Sequence, residues 1–439
     1  MALLFECMGK CCRNMLDTAD IVRDACYHQF IAQNVKGVCY SRMQATLYLF
    51  LGRLLGRMKQ YRAALHYFQL TADLNPKSEV AHCWIGWAYS QLSDYTAALA
   101  SFERAIQIAP SCAYAHAQMG RSFVQLNRHQ EAVDELLRAF RMNPKYEQRR
   151  EYLLALGSAY GHMGLMQESV AAYQKASELF PNDSDSVHGY GWALSSSKRF
   201  VEAEPVLRRA IALAPKNADA HYELGVVLGA QERFKDAAAE FQIATTLEPT
   251  KSNPHCGLGS MYRELQQFDA AADSLNEAIR IAPNDPDAYV QIGTVYGELR
   301  EWPEVVATGK KLRQLLPDQE IGYWLMSSGY CELGEYATAI SVTEDNLRQN
   351  PNSLPAQAGL AYIYLKSDRF AEAIQVYKRT IDAHPDTAYL YAQLAEAYVR
   401  AGNVFAASEQ QKLLTKLDPS AAEEVQRLIN GDIKTLLVT

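Results

Sequence analysis

Residues 220–249, AHYELGVVLGAQERFKDAAAEFQIATTLEP, contain two helical patterns joined by a short polar turn. In the first half, Leu224, Gly225 and Leu228 fall on one face of a helix. The second half carries a stripe of Phe and Ala at spacings of three and four residues, and Pro249 closes it. The stretch therefore predicts a helix-turn-helix unit.

Prolines show that this unit is repeated. Most of the chain's prolines follow one another at 34 residues, with a single interval of 37: Pro76, Pro110, Pro144, Pro181, Pro215, Pro249, Pro283, Pro317, Pro351, Pro385 and Pro419. A small residue recurs in the same frame: Gly52, Gly86, Gly120, Gly157, Gly191, Gly225, Gly259, Gly293, Ser327, Ala361 and Ala395. A fixed period of this length predicts stacked units, and the small residue predicts close approach of the two helices.

Repeat two carries the clearest complete pattern. It consists of a bulky apolar residue, Gly, Tyr, then Tyr, Ala, an aromatic, Ala and Pro: Ile85, Gly86, Tyr89, Tyr95, Ala98, Phe102, Ala105 and Pro110. This pattern resembles the tetratricopeptide repeat (TPR) family, and eleven such repeats cover residues 45–421. The resemblance implies an all-α, right-handed superhelical solenoid of antiparallel helix pairs, with partner peptides or helices bound in its concave groove.

The two ends do not fit the repeat. We expect residues 1–44 to form a non-repeat helical cap, and residues 422–439 a capping helix and tail, because an end repeat otherwise exposes its apolar face. Residues 1–44 also give a second hypothesis, docking on another copy of the chain in a self-assembling complex. Cys7, Cys11 and Cys12 form a CxxxCC cluster there, for which acylation or redox chemistry are alternatives to weakly supported metal binding.

Composition excludes several classes of function. A formal charge of −7 argues against nucleic-acid binding, and no apolar stretch is long enough to predict a membrane-spanning helix. Nine scattered cysteines favour free thiols in a reducing compartment, so we expect a cytoplasmic protein. The repeats leave no room for a catalytic domain, and phosphate loops, nucleophile elbows and HExxH motifs are missing from the sequence. We therefore expect a non-catalytic scaffold or adaptor with no cofactor and no metal; the targeting half of an enzyme system is the less favoured alternative.

Candidate binding residues follow from the faces of the first helices. The groove positions that the resemblance implies contain Arg53, Arg57, Trp84, Trp87, Arg121, Trp192, Trp324 and Tyr362. Trp and Arg are the residue types that most often dominate interface energies, so these residues are predicted to bind a partner peptide or helix. The alternative is that neighbouring first helices touch along this row, and that each aromatic side chain packs sideways between them.

A possible acidic row occupies one further position of the frame. Glu264, Glu298 and Glu332 hold it in repeats seven, eight and nine, which favours a partner segment with Lys or Arg. A solvated polar face is the alternative. Some TPR proteins hold a chaperone's terminal carboxylate with an Asn at a set groove position, but no repeat here has that Asn, so we expect no such carboxylate clamp.

Two further features have competing interpretations. His82, His116, His221 and His255 occupy a framework position, where packing is favoured over a metal site. Gly309 replaces an aromatic residue in the second helix of repeat eight, which predicts a weak point or bend. The alternative is that Trp302 fills the missing volume.

Overall fold

A computed structural model describes residues 37–431, with side chains from residue 41 onward. All regular structure in this part is helical, and it contains no strand. The all-α fold class predicted from the repeat is therefore confirmed. The predictions made for residues 1–36, namely most of the helical cap, the CxxxCC cluster and docking on another copy, lie outside the described residues.

The chain divides into two compact units, one ending at Leu213 and the other beginning at Ala214. The described part of the N-terminal unit contains five antiparallel helix pairs: α1 (Gly37–Arg57), α2 (Tyr61–Leu74), α3 (Glu79–Gln91), α4 (Tyr95–Ile108), α5 (Ala113–Gln125), α6 (His129–Met142), α7 (Arg150–His162), α8 (Met166–Leu179), α9 (Ser184–Ser196) and α10 (Phe200–Leu213). A 3₁₀ helix, Pro144–Gln148, precedes α7 and accommodates the one longer interval between prolines.

The C-terminal unit contains six pairs and a last helix: α11 (Ala218–Ala230), α12 (Phe234–Leu247), α13 (Ser252–Glu264), α14 (Phe268–Ile281), α15 (Pro286–Glu298), α16 (Trp302–Leu315), α17 (Ile321–Glu332), α18 (Tyr336–Gln349), α19 (Leu354–Lys366), α20 (Phe370–Ala383), α21 (Ala388–Arg400), α22 (Val404–Leu417) and α23 (Pro419–Asn430). Buried Ala422, Val425 and Leu428 line one side of α23, which packs against α21 and α22. The pairs of the two units are consistent in number with the eleven repeats counted from the prolines.

In each helix pair, the turn between the two helices contains one residue with left-handed backbone. These residues recur with the repeat: Lys59, Ser93, Asn127, Gly164, Lys198, Glu232, Gln266, Arg300, Gly334, Asp368 and Gly402. Most of them are not glycine, although an L side chain disfavours positive φ. The tertiary packing of the pair therefore imposes the turn, rather than the local sequence.

The recurring small residue allows the two helices of a pair to touch. A Cβ added at Gly86 would lie 2.6 Å from Cε1 of Phe102, and one added at Gly225 would lie 2.9 Å from Cδ1 of Phe241. Both aromatic rings are buried. The cost of a mid-helix glycine is thus offset by burial of a large ring directly against the backbone.

At Gly309, where the sequence predicted a weak point or bend, the structure has an unbroken helix, and a local loss of stability stays a prediction. Helix α16 is continuous across it, and Gly309 is buried where α16 meets α17. An added Cβ would lie 2.8 Å from the carbonyl oxygen of Gly322 and 2.9 Å from the amide nitrogen of Met326. The missing side chain therefore permits contact between two helix backbones, and Trp302 has no gap at Gly309 to fill.

Three of the four framework histidines, His82, His116 and His221, form hydrogen bonds in addition to packing, whereas Nε2 of His255 is buried without a partner among the described residues. His221 is 6% exposed, with Nε2 3.2 Å from the carbonyl oxygen of Pro215 and Nδ1 2.6 Å from Oε2 of Glu240. Other side chains at this position bond in the same way to the proline carbonyl six residues earlier: His82, His116, Tyr289, Gln357 and Tyr391. The position thus ties the end of one repeat to the first helix of the next.

Candidate binding face of the first helices

Trp87 packs sideways against the preceding repeat. Its Cη2 atom lies 2.8 Å from the point where a Cβ of Gly56 would stand, so the indole occupies space that any other residue at position 56 would fill. The ring also meets Tyr61 edge-on, with the ring centroids 5.9 Å apart. The packing alternative therefore describes Trp87, and a partner-binding role for its remaining exposed surface stays a prediction.

Trp84 completes an aromatic cluster with Trp87. Its ring stacks on the buried ring of Phe68 at 5.5 Å between centroids and lies 5.5 Å from that of Trp87. The guanidinium carbon of exposed Arg53 lies 5.3 Å from the Trp84 ring, within cation–π range. Of the predicted groove residues, the structure brings these three together.

Trp192 repeats the arrangement of Trp87. Its Cη2 atom would meet a Cβ of Gly161 at 2.4 Å, and its ring lies edge-on to Tyr173 at 6.1 Å. Tyr362 packs in the same way against buried Cys331 of the preceding first helix. Both aromatic side chains are half-buried, so packing accounts for much of their surface.

The remaining candidates are dispersed. Arg57 is exposed at the end of α1, and half-buried Arg121 donates to Oε1 of Gln118 at 3.2 Å. Trp324 lies in the C-terminal unit and keeps 48% of its surface exposed. It is thus the predicted groove tryptophan with the most surface available to a partner.

The acidic row is partly paired. Glu264 accepts from Arg263 at 2.7 Å, and Glu332 lies 3.5 Å from the ammonium group of Lys366. Glu298 is exposed at the last residue of α15. Lys366 follows Glu332 at the same frame position, which ends the run of negative charge at repeat nine.

A surface cavity of about 420 Å³ lies between helices α11, α13 and α15, where the sequence analysis identified no aromatic candidate. Its apolar and small lining residues are Tyr222, Gly225, Val226, Gly229, Ala230, Phe241, Cys256, Gly257, Ser260 and Met261. Its polar lining residues are Asn253, Asp285, Asp287 and Gln291. The cavity is therefore lined by apolar residues together with two carboxylates.

The cavity lies beside the position where an indole packs in two other repeats. In three repeats, a glycine is followed 31 residues later by the residue at this position: Gly56 by Trp87, Gly161 by Trp192, and Gly229 by Ser260. Serine replaces tryptophan in the third pair, and the side chain of Met261 packs on Gly229 instead, with Sδ 3.1 Å from the point where a Cβ would stand, so the cavity beside Met261 and Ser260 holds no ring of this chain. We call this space the Gly229–Ser260 subpocket.

Two carboxylates, those of Asp285 and Asp287, line the cavity that contains the subpocket. Asp285 caps α15 by accepting the amide of Asp287 at 3.1 Å. Burial, together with the carboxylates of Asp285 and Asp287, raises the pKa of Cys256 to about 11, so this thiol is protonated at neutral pH. The side-chain oxygen of Gln291 is buried without a hydrogen-bond partner among the described residues.

The subpocket was not identified from the sequence, although its signal is present there. Trp87 and Trp192 each follow a glycine by the same interval, whereas Gly229 precedes a small residue by that interval. Only the contact between successive first helices shows that these two positions face each other.

Comparison with known proteins agrees with this architecture. The chain is an all-α protein of tandem helix pairs, and TPR family models match residues 80–112, 118–184, 191–254, 259–299 and 331–393. Because these matches together cover more than half of the sequence, the chain belongs to the tetratricopeptide repeat family. This family is generally a non-catalytic interaction module.

Several solved structures are similar to this chain at low identity and low TM-score. The Cut9–Hcn1 hetero-tetramer of APC/C is 12% identical, over 91% of this chain and 97% of that chain, with a TM-score of 0.43. Yeast Tom70 is 13% identical, over 88% of this chain and 95% of that chain, with a TM-score of 0.37. YrrB, a TPR protein with an unusual peptide-binding site, is 21% identical, over 43% of this chain and 95% of that chain, with a TM-score of 0.37. No curated protein matches the sequence significantly.

No helix in the described part of the chain combines the length and apolar character needed to cross a membrane. Within residues 37–431, no three His, Cys, Asp or Glu side chains are grouped so as to hold a metal ion.

Proposed function

We propose that this protein is a non-catalytic scaffold that binds a segment of a partner protein along its first helices. The Gly229–Ser260 subpocket is the observation that carries the proposal. In repeats two and five, the chain itself places an indole against the equivalent glycine. In repeats six and seven, the cavity beside Met261 and Ser260 accepts an aromatic side chain from the partner.

The charges around the subpocket favour a basic partner segment. Asp285 and Asp287 lie at its rim. On α13, Glu264 follows the lining residue Gly257 by seven residues, and Glu298 follows Gln291 by the same interval on α15. Seven residues are close to two helical turns, so each glutamate continues the face that lines the cavity. An aromatic residue with Lys or Arg on either side fits this arrangement.

We also propose that the scaffold assembles protein complexes in the cytoplasm. The four cysteines whose side chains the structure describes are free thiols, as expected in a reducing compartment. Among them, Cys256 lines the cavity with its thiol protonated, so it does not add charge to the site.

A peptide experiment tests the subpocket. Selection of a random displayed peptide library on the full chain is expected to enrich an aromatic residue flanked by Lys or Arg. A synthetic peptide containing Trp between lysines should then bind at least about tenfold more tightly than its Trp→Ala version, because burying an aromatic side chain contributes about 1.5–3 kcal/mol. Fluorescence anisotropy of labelled peptides measures both affinities.

Matched variants locate the binding site. Ser260→Trp is expected to weaken binding of the Trp peptide about tenfold by filling the subpocket with its own indole. Thr246→Trp, on the exposed side of α12, should leave binding unchanged. Asp287→Lys should weaken binding most at low salt, whereas Asp273→Lys on α14 should not. Unaltered affinity in folded Ser260→Trp would contradict the proposal.

A further inference from the structure

Two thiols meet where repeat two packs on repeat three. Cys83 lies within α3 and is 6% exposed, and Cys112 is the half-buried N-cap residue of α5. Their Sγ atoms are 3.7 Å apart, which is a direct sulfur–sulfur contact. A disulfide requires about 2.05 Å, so the two atoms must approach by only roughly 1.7 Å.

We propose that Cys83 and Cys112 form a peroxide-reactive dithiol that closes to an intramolecular disulfide. Cys112 is the residue that meets the oxidant, because it is partly exposed in the turn between α4 and α5. Cys83, held in the core beside it, is the resolving thiol.

The surroundings favour the thiolate at Cys112. A hydrogen bond from the Cys83 thiol, together with the amides of Ala115 and Tyr114, lowers the pKa of Cys112. The same hydrogen bond and burial raise the pKa of Cys83. The other two thiols with described side chains differ, since burial raises the pKa of both Cys256 and Cys331 to about 11. The thiolate is the nucleophilic form, so Cys112 reacts in preference to them.

The chemistry balances with hydrogen peroxide as the oxidant. The Cys112 thiolate attacks one peroxide oxygen, an S–O bond forms, the O–O bond breaks, and hydroxide leaves as water after taking up a proton. Cys83 then attacks the sulfur of the Cys112 sulfenic acid. An S–S bond forms, the S–O bond breaks, and the hydroxyl leaves as a second water with the Cys83 proton. Two electrons pass from the thiols to the peroxide.

Peptide mass spectrometry of the full chain tests the dithiol. Treatment with dilute hydrogen peroxide, followed by alkylation and digestion, is expected to yield a peptide cross-linked between Cys83 and Cys112, lighter by two hydrogen atoms. A reductant should restore both free peptides. Without peroxide, iodoacetamide should label Cys112 at least about tenfold faster than Cys256 or Cys331.

Variants separate the two roles. Cys83→Ala should stop the reaction at a Cys112 sulfenic acid, which a dimedone probe traps, whereas Cys112→Ala should leave Cys83 reduced. Cys256→Ala is the matched control and should cross-link as the unaltered chain does. Recovery of Cys83 and Cys112 as free thiols at a peroxide dose that oxidises Cys256 would overturn the proposal, whether or not any variant folds.

Discussion

Replacing Gly309 with alanine is expected to destabilise the C-terminal unit by about 2 kcal/mol, although alanine is the better helix former by about 1 kcal/mol. The new Cβ would stand 2.8 Å from the Gly322 carbonyl oxygen and 2.9 Å from the Met326 amide nitrogen. Both are backbone atoms, so no change of rotamer relieves the clash. Helices α16 and α17 must separate, and the core around Val305 and Leu312 loosens.

Gly359→Ala provides the control, since nothing lies within 4 Å of a Cβ added there. That variant should gain up to about 1 kcal/mol from helix propensity. Guanidinium unfolding followed by circular dichroism compares the midpoints. Hydrogen exchange of peptides from α16 and α17 then locates the loss, because stacked repeats need not unfold in a single step. An equal or higher midpoint for Gly309→Ala would show that close approach of the two helices is dispensable.

Trp87→Ala is expected to cost about 3 kcal/mol, within the range for removing a large aromatic side chain. The substitution leaves a cavity beside Gly56 and removes ring contacts with Tyr61, Phe68 and Trp84. Because Gly56 has no side chain that could refill that space, relaxation of the surroundings recovers little of the lost stability. Thermal unfolding and hydrogen exchange of α1 and α3 measure the effect.

Trp324→Ala is the matched control, because Trp324 is 48% exposed and loses less packing on truncation. It should cost less than about 1 kcal/mol. Equal destabilisation by the two substitutions would contradict the packing interpretation of Trp87. For the same reason, lost partner binding in Trp87→Ala or Trp192→Ala is informative only where the fold is shown to be intact, whereas Trp324→Ala tests a binding role directly.

The repeat made the fold predictable because its signals are local and recur. Proline spacing, the small framework residue and the helical stripes each report on contacts within one helix pair, so the sequence alone gives the pairs and their order. Gly309 was ambiguous in the sequence because a missing side chain has two meanings, a gap or a close approach. Only the position of Gly322 on the next helix distinguishes them.

The site was less predictable because it depends on contacts between repeats. A tryptophan off the framework face is a candidate anchor when its own helix is considered, and Trp87 becomes a packing residue only when Gly56 is placed opposite it. The Gly229–Ser260 subpocket depends on the small size of Ser260, and a small residue carries no signal within its own repeat. Cys83 and Cys112 do not share a frame position either, so their contact follows from stacking and not from periodicity.

The hydrogen bond to the proline carbonyl also bears on how such chains diverge. Histidine, tyrosine and glutamine all donate it in this molecule, through His82, Tyr289 and Gln357 among others. Leu153 and Val187 hold the same position in repeats four and five, so the bond links some adjacent repeats and not others, and several residue types can form it. A residue-by-residue profile would record this column as variable, although substitution by an apolar residue would remove a link between adjacent repeats.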